Sequence, residues 1–168
     1  LPISFRFWSP VLTRQGPVRV VLSKIRDALS TTKLTAAGVD LNSCEIVFVG
    51  HSFGTYILGQ ILKENPDIRP HRLLLCGSII PEDFRWDQLS NRPQEVLNEA
   101  GSRDIWPILA KALTWGYGSS GTFGFMGYVR DRYHNIGHSD YFEPGFAEKF
   151  WVPWIQTGKV ESTEFETE

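Results

Sequence analysis

The chain has 168 residues, of which 42% are hydrophobic and 13% aromatic, enough for one domain with a substantial core. Its formal net charge of −2 gives no electrostatic reason to expect a nucleic acid or an anionic membrane as a partner. No apolar run reaches the roughly 18 residues that a membrane-spanning helix needs. The two cysteines, Cys44 and Cys76, have no spacing that predicts a zinc site, and each is predicted to be a small buried residue in or beside a strand.

The hydrophobic pattern alternates between strand and helix signals along the chain. Short runs rich in β-branched residues predict strands, and apolar residues at helical spacing predict helices between them. In chain order we predict a strand over 3–8, a helix from 17 to about 34, strands over 45–49 and 72–76 with a helix over 53–63 between them, a strand over 95–98, a helix over 105–115, a strand over 128–133 and a helix over 144–155. This order predicts an α/β fold, a mostly parallel sheet with helices on both faces.

Three further features complete the organisation of the chain. The runs "EIVFV" and "RLLLC" are typical of strands buried on both faces of a parallel sheet. The glycine-rich stretch 116–127, "GYGSSGTFGFMG", is predicted to be a mobile loop, either a cover near a site or plain surface. The acidic stretch 158–168 is predicted to fray. No repeat or boundary divides residues 1–168, so we expect a single domain.

A serine lies in a sharp polar turn between a predicted strand and a predicted helix, in Gly50-His51-Ser52-Phe53-Gly54. Its hydroxyl is a weak nucleophile until a base removes the proton, and such a turn presents it away from its own backbone. We interpret the two glycines as positions where a Cβ would clash with neighbouring backbone. The N–H of Phe53, at the helix N-terminus, is the predicted donor to a developing oxyanion. The alternative is a turn whose serine only caps the helix.

This G-x-S-x-G turn resembles the nucleophile elbow of the α/β-hydrolase superfamily, and the resemblance covers roughly residues 42–157. It implies a catalytic triad in the chain order Ser, then Asp or Glu, then His. A Gly-x-x-Asp turn after the strand at 95–98 makes Asp104 the predicted acid, a role compatible with capping the next helix. Asp83, after the preceding strand, is the alternative acid.

Two histidines follow the last predicted strand, where the resemblance implies the base. The pair Gly137-His138 matches the Gly-His often seen there, so His138 is the predicted base and His134 the alternative. His51 fits the base less well, because adjacent side chains diverge in an elbow, and the resemblance implies that His51 is a packing residue. Five aromatic residues are candidates either for an acyl pocket or for simple core positions: Trp106, Trp115, Tyr117, Phe123 and Phe125.

The amino-terminal side departs from the resemblance, because only one strand is predicted before the elbow strand. We expect further strands on that side of the sheet. We also expect a second oxyanion donor, supplied either by the loop at 9–12 or by sequence upstream of Leu1.

Together these patterns predict a cofactor-independent serine hydrolase that acts on a small-molecule acyl substrate. The expected bond is a carboxylic ester or a thioester, as in an esterase or a lipase-like enzyme. Two alternatives stay open: an α/β-hydrolase-like interaction module without turnover, and an acyltransferase in which another alcohol replaces water. The sequence predicts neither the substrate nor the oligomeric state, because this fold supports many reactions.

Overall fold

A computed structural model of the chain describes residues 14–38, 40 and 43–165. The predicted strand over 3–8 and the loop at 9–12 lie outside the described residues. In the described part of the chain, two helices precede the sheet, α1 (Gln15–Ala28) and α2 (Thr31–Ala36). The prediction of one helix to about residue 34 is wrong, because the backbone of Ser30 is extended (φ −63°, ψ 135°) and ends the helical path. A serine favours this position, immediately before a helix, over a helix interior.

One sheet of four strands forms the centre of the described chain: β1 (Val47–His51), β2 (Arg72–Cys76), β3 (Glu95–Gly101) and β4 (Arg130–His134). All neighbouring strands are parallel, and their order in the sheet is their order in the chain. The remaining α-helices of the described residues are α3 (Phe53–Glu64), α4 (Trp106–Leu113), α5 (Ser120–Phe123) and α6 (Val152–Thr157), the last continuing a π-helical stretch, Ala147–Trp151. Short 3-10 helices cover Trp86–Gln88 and Asp140–Phe142. The predicted α/β fold with a parallel sheet is therefore confirmed.

Alternation along β2 divides the core into two hydrophobic clusters. Successive side chains of a strand point to opposite faces of the sheet. Leu73 and Leu75 pack with the apolar side chains of α1 and α3. Leu74 and Cys76 instead pack in a second cluster with Tyr141 and Trp154, which follow β4. The sheet thus carries packed helices on both faces, and Cys76 is the small buried residue that the sequence predicts.

The first strand is less buried than the sequence pattern predicts. Within the described residues β1 pairs only with β2, and the side chain of Val49 is 44% exposed. Val47 and Phe48 are only partly buried. An apolar run looks the same in sequence whether its strand is central or at an edge, which explains the difference. Cys44, just before this strand, is exposed and not buried.

The glycine-rich stretch is a packed element. It contains α5, and Ser119, Ser120 and Gly121 are buried. The Ser120 hydroxyl donates to the Ile80 carbonyl (2.7 Å), and the Asn98 side-chain amide donates to the Ser120 carbonyl (2.8 Å). These buried hydrogen bonds fix the stretch against β3, so the expectation of a mobile loop is wrong for residues 119–121.

The carboxyl-terminal stretch 158–165 returns to β4 and the residue that follows it. Arg132 donates to the Glu161 carbonyl (3.1 Å), and the backbone N–H of Asn135 donates to the Glu164 carboxylate (2.6 Å). These two contacts tie a stretch expected to fray to the end of the sheet. Among the helices that the structure describes, none combines the length and apolar character that crossing a membrane would require.

Candidate active site

Ser52 occupies a strained turn between β1 and α3. Its backbone has φ 53° and ψ −123°, a region that residues with a side chain rarely adopt. The turn is held by the Ser52 N–H, which donates to the Cys76 carbonyl (3.0 Å), and by the Thr55 hydroxyl, which donates to the Ser52 carbonyl (2.6 Å). The surrounding structure therefore holds the serine in this conformation and sets the direction of its side chain.

A series of hydrogen bonds joins Ser52 to a histidine and a carboxylate. His138 Nε2 lies 2.9 Å from Ser52 Oγ, and His138 Nδ1 lies 2.8 Å from Asp104 Oδ2. Because an ionised carboxylate only accepts, Nδ1 carries the ring hydrogen. In the neutral ring Nε2 is then an acceptor, which leaves the serine hydroxyl as the donor. The structure thus brings together three residues that lie far apart in the chain.

Asp104 is fully buried and held by its own loop. Its Oδ1 accepts the N–H of Trp106 (3.0 Å) at the start of α4, so the same side chain contacts both the helix and His138. The N–H of Ser102 donates to the His134 carbonyl (2.8 Å), and the N–H of Arg103 donates to the Ile136 carbonyl (3.1 Å). The loop after β3 and the loop after β4 are therefore joined through backbone, which fixes the acid relative to the histidine.

Gly77, directly after β2, packs against this pair. Its φ is 51°, and a Cβ built there would lie 2.9 Å from Asp104 Oδ2 and 3.0 Å from His138 Nδ1. Both the backbone angle and the lack of space require glycine at this position. The backbone directly after β2 is thus in close contact with Asp104 and His138 at the hydrogen bond that joins them.

His51 also contacts His138, a role that the sequence interpretation missed. Its Nε2 lies 2.8 Å from the backbone carbonyl of His138, and the two ring centroids are 4.7 Å apart. Since a carbonyl only accepts, Nε2 of His51 carries the hydrogen. Burial lowers the pKa of His51 against the opposing effect of this hydrogen bond, so the neutral ring is favoured. The interpretation of His51 as a mere packing residue is therefore incomplete.

The two alternative residues lie elsewhere. His134 is buried with its Nε2 2.7 Å from Glu99 Oε2, and its ring packs against the rings of Phe146 and Phe150. Asp83 is exposed and lines surface pockets with Phe84 and Arg85. The structure brings Asp104 and His138 to Ser52, whereas it places His134 next to the buried Glu99 and Asp83 at the surface.

The aromatic candidates divide into two groups. Trp106 lies beside the site, with its ring centroid 6.3 Å from that of His138, and Trp115 is 91% exposed. Tyr117 is buried against the ring of Phe53 (6.3 Å), and it lines a pocket of about 640 Å³ together with Phe123 and Phe125. These five residues therefore do not share one pocket. Phe53 itself begins α3, which places its N–H next to Ser52.

Within the described part of the chain, no group of three or more His, Cys, Asp or Glu side chains is arranged to hold a metal ion. No protein-family model, curated protein or solved structure matches the chain. The class that the structure itself defines is an α/β protein with a four-stranded, all-parallel sheet.

Proposed function

We propose that the chain is a serine hydrolase of the α/β-hydrolase type, which cleaves a carboxylic ester or thioester through an acyl-enzyme on Ser52. The observation that carries the proposal is the series of hydrogen bonds from Asp104 through His138 to Ser52. Among the described residues, the Ser52 side chain makes no capping hydrogen bond to α3, which disfavours a purely structural serine. Backbone strain at a hydroxyl-bearing residue is typical of a functional position.

In the proposed reaction Ser52 Oγ attacks the acyl carbonyl carbon while His138 Nε2 takes the serine proton. Asp104 stabilises the imidazolium through Nδ1–H, and the Phe53 N–H donates to the carbonyl oxygen as it becomes negative. The tetrahedral intermediate collapses when His138 gives the proton to the leaving alcohol or thiol. Water then attacks the acyl-enzyme by the same steps, which releases the acid and restores Ser52.

The first test is covalent labelling of the full chain with a fluorophosphonate probe, followed by peptide mapping. We expect one rapid adduct, on Ser52, and none with Ser52→Ala. Ser119→Ala is the matched control and should label normally, because Ser119 is buried and its hydroxyl is hydrogen-bonded to Glu82. An adduct at another serine, or no adduct on the folded chain, would contradict the proposal.

The second test separates the two histidines by turnover of a soluble activated ester. His138→Ala should lower kcat on the order of 10³-fold or more, as removal of a triad member does. His134→Gln keeps a donor for Glu99 and should lower kcat less than about tenfold. The reverse ranking would move the base to His134, and mild losses in both would favour an interaction module without turnover.

Acyl transfer is distinguished by the products. With an added acceptor alcohol, a hydrolase releases mainly the free acid, whereas an acyltransferase forms mainly the new ester. We expect the free acid.

A further inference from the structure

Helix α4 exposes most of its apolar side chains. It buries only Pro107 and Ala110. We call the α4 apolar face the set of exposed apolar residues on and next to this helix: Ile105, Trp106, Ile108, Leu109, Leu113 and Trp115. Leu113 is 67% and Trp115 91% exposed. A contiguous apolar surface of this kind marks an interaction site in a folded protein, unlike a single exposed leucine.

The α4 apolar face begins at the candidate active site. The N–H of Trp106 donates to Asp104 Oδ1 (3.0 Å), and the Trp106 ring lies 6.3 Å from that of His138. Phe142 is 62% exposed, and its ring lies 4.8 Å from that of His51. Exposed aromatic side chains therefore lie next to both His138 and His51. A partner that covers this surface therefore also lies next to Asp104 and His138.

Two basic side chains on and next to the α4 apolar face, Lys111 and Arg103, lie in ion pairs. Lys111, the one charged residue of α4, lies 2.7 Å from Glu82 Oε1. Burial tends to raise the pKa of Glu82, but hydrogen bonds from Lys111 and Ser119 outweigh it and lower that pKa, so Glu82 stays charged at neutral pH. Arg103, before the face, lies 3.9 Å from Asp140. Because the positive charges of Lys111 and Arg103 are paired with carboxylates, we expect the face to bind apolar material without a preference for an anionic surface.

We propose that the α4 apolar face docks on the surface of a zwitterionic lipid aggregate, and that the substrate is a long-chain acyl ester presented by that surface. The substrate class rests on the proposed hydrolase function. Two tryptophans on an aliphatic face suit a lipid–water interface, where an amphipathic ring is favoured at the headgroup level. Continuity of the face with Trp106 places Ser52 next to an ester located at such an interface.

Binding is tested without turnover, using the full chain with Ser52→Ala and phosphatidylcholine vesicles in a sedimentation assay. We expect binding that changes less than about twofold between low and high salt, because apolar burial is not screened. Adding Leu113→Gln and Trp115→Ser should reduce the partition coefficient about tenfold or more. The matched control adds Val20→Ser and Phe165→Ser, which remove two exposed apolar side chains far from α4 in the chain. It should bind as Ser52→Ala does.

Three results would overturn lipid docking: no sedimentation with vesicles, equal binding by the face variant and the control, or binding only to anionic vesicles that salt abolishes. A concentration-dependent dimer that the face variant loses, in place of vesicle binding, would likewise overturn it in favour of a second copy of the chain.

The catalytic consequence is measured as a ratio of rates. In the chain with native Ser52, the rate on a long-chain ester in vesicles, divided by the rate on a soluble short-chain ester, should fall about tenfold or more in Leu113→Gln/Trp115→Ser. An unchanged ratio overturns the docking proposal while labelling of Ser52 upholds the hydrolase. Conversely, vesicle binding without fluorophosphonate labelling overturns the proposed function and leaves the docking surface.

Discussion

At the scale of single residues, Ser52, the proposed nucleophile, has a backbone conformation that carries a local cost in stability. Its φ of 53° and ψ of −123° cost roughly 1–3 kcal/mol for any residue that carries a Cβ. Glycine adopts the same angles without this penalty. Hydrogen bonds to β2 and α3 hold the turn in spite of this cost. Substitution of Ser52 separates the effect of backbone strain from the effect of the hydroxyl.

We predict that Ser52→Gly is more stable than Ser52→Ala by about 1 kcal/mol in the free energy of unfolding. Both variants remove the hydroxyl, so the difference isolates backbone strain. Urea unfolding monitored by tryptophan fluorescence measures it. Equal midpoints would indicate that the turn is relaxed in solution.

His51 fixes the backbone of the loop that carries His138, and we regard it as a positioning residue. We predict that His51→Ala lowers kcat on a soluble ester about five- to tenfold with little change in KM, since one hydrogen bond contributes about 1 kcal/mol. His51→Gln offers an amide donor in place of Nε2–H and should recover most of the rate. If His51 only stabilised the fold, the loss of kcat in each variant would follow its loss of stability, and His51→Gln would show no separate recovery of the rate.

The lowered pKa of His51 predicts a pH dependence of stability. In the unfolded chain this histidine titrates near pH 6.5, whereas burial next to His138 keeps the folded ring neutral to lower pH. The other ionisable groups that face it are Asp104 and Tyr141. The unfolded state therefore binds more protons below pH 6.5, and the contribution of His51 to stability is full above that pH and falls as the pH drops.

This dependence is measured as the difference in unfolding free energy between the native chain and His51→Gln, from pH 7.5 down to pH 5. We expect the native chain to lose its advantage progressively over this range. A constant difference would show that His51 titrates alike in both states.

At the scale of elements, the two glycines of the elbow are not equivalent, contrary to the sequence interpretation. A Cβ at Gly50 would lie 2.9 Å from Leu58 Cδ1 and 3.2 Å from the Thr55 Cα. The strand β1 therefore packs closely against α3 at this position. A Cβ at Gly54 would meet no described atom within 4 Å outside its own helix. The clash predicted for Gly54 is therefore wrong: its Cβ would point away from the close contact between strand and helix.

We predict that Gly50→Ala lowers the unfolding free energy by about 1–3 kcal/mol, because α3 must move away from β1. Gly54→Ala is the matched control, which should be neutral or stabilising by up to about 1 kcal/mol because alanine is favoured in a helix. Thermal unfolding of the two variants compares them. Equal losses would mean that the elbow packs alike around both positions.

At the scale of the whole molecule, a buried charge cluster joins the sheet to the carboxyl-terminal part of the chain. Arg132 on β4 is fully buried, and its guanidinium donates to both oxygens of Glu99 on β3. It also donates to the carbonyls of Phe150 (3.0 Å) and Glu161 (3.1 Å). His134 completes the cluster through Glu99. One side chain thus connects β3, β4, the π-helical stretch and the terminal residues.

We predict that Arg132→Met destabilises the chain by about 3–5 kcal/mol, because it leaves the Glu99 charge buried without its cation. Arg130→Met, two residues earlier on the same strand but exposed, should change stability by less than about 0.5 kcal/mol. Urea unfolding of both gives the comparison. A loss for Arg132→Met as small as that for Arg130→Met would indicate that water or another group solvates Glu99.

The local pattern of the sequence was sufficient for the elements whose signals lie within a few residues. β2 has the predicted bounds, α3 begins at Phe53 as predicted, and Pro107 lies in the first turn of α4. The reason is that strand alternation, helical spacing and a proline at a helix start act over one or two turns of chain. The same holds for the elbow, where strand, turn and helix follow one another directly.

Only the tertiary structure decided the features that depend on distant contacts. Ser52 and His138 meet across 86 residues, and which of His138 and His134 contacts Ser52 depends on where the end of β4 and the following loop direct each ring. His134 ends β4 and points to Glu99, whereas His138 lies on a loop that His51 holds by its backbone. The exposure of Val49 and the burial of Ser120 likewise depend on which elements pack there. A sequence window contains no information on such neighbours, because packing joins residues without regard to their distance along the chain.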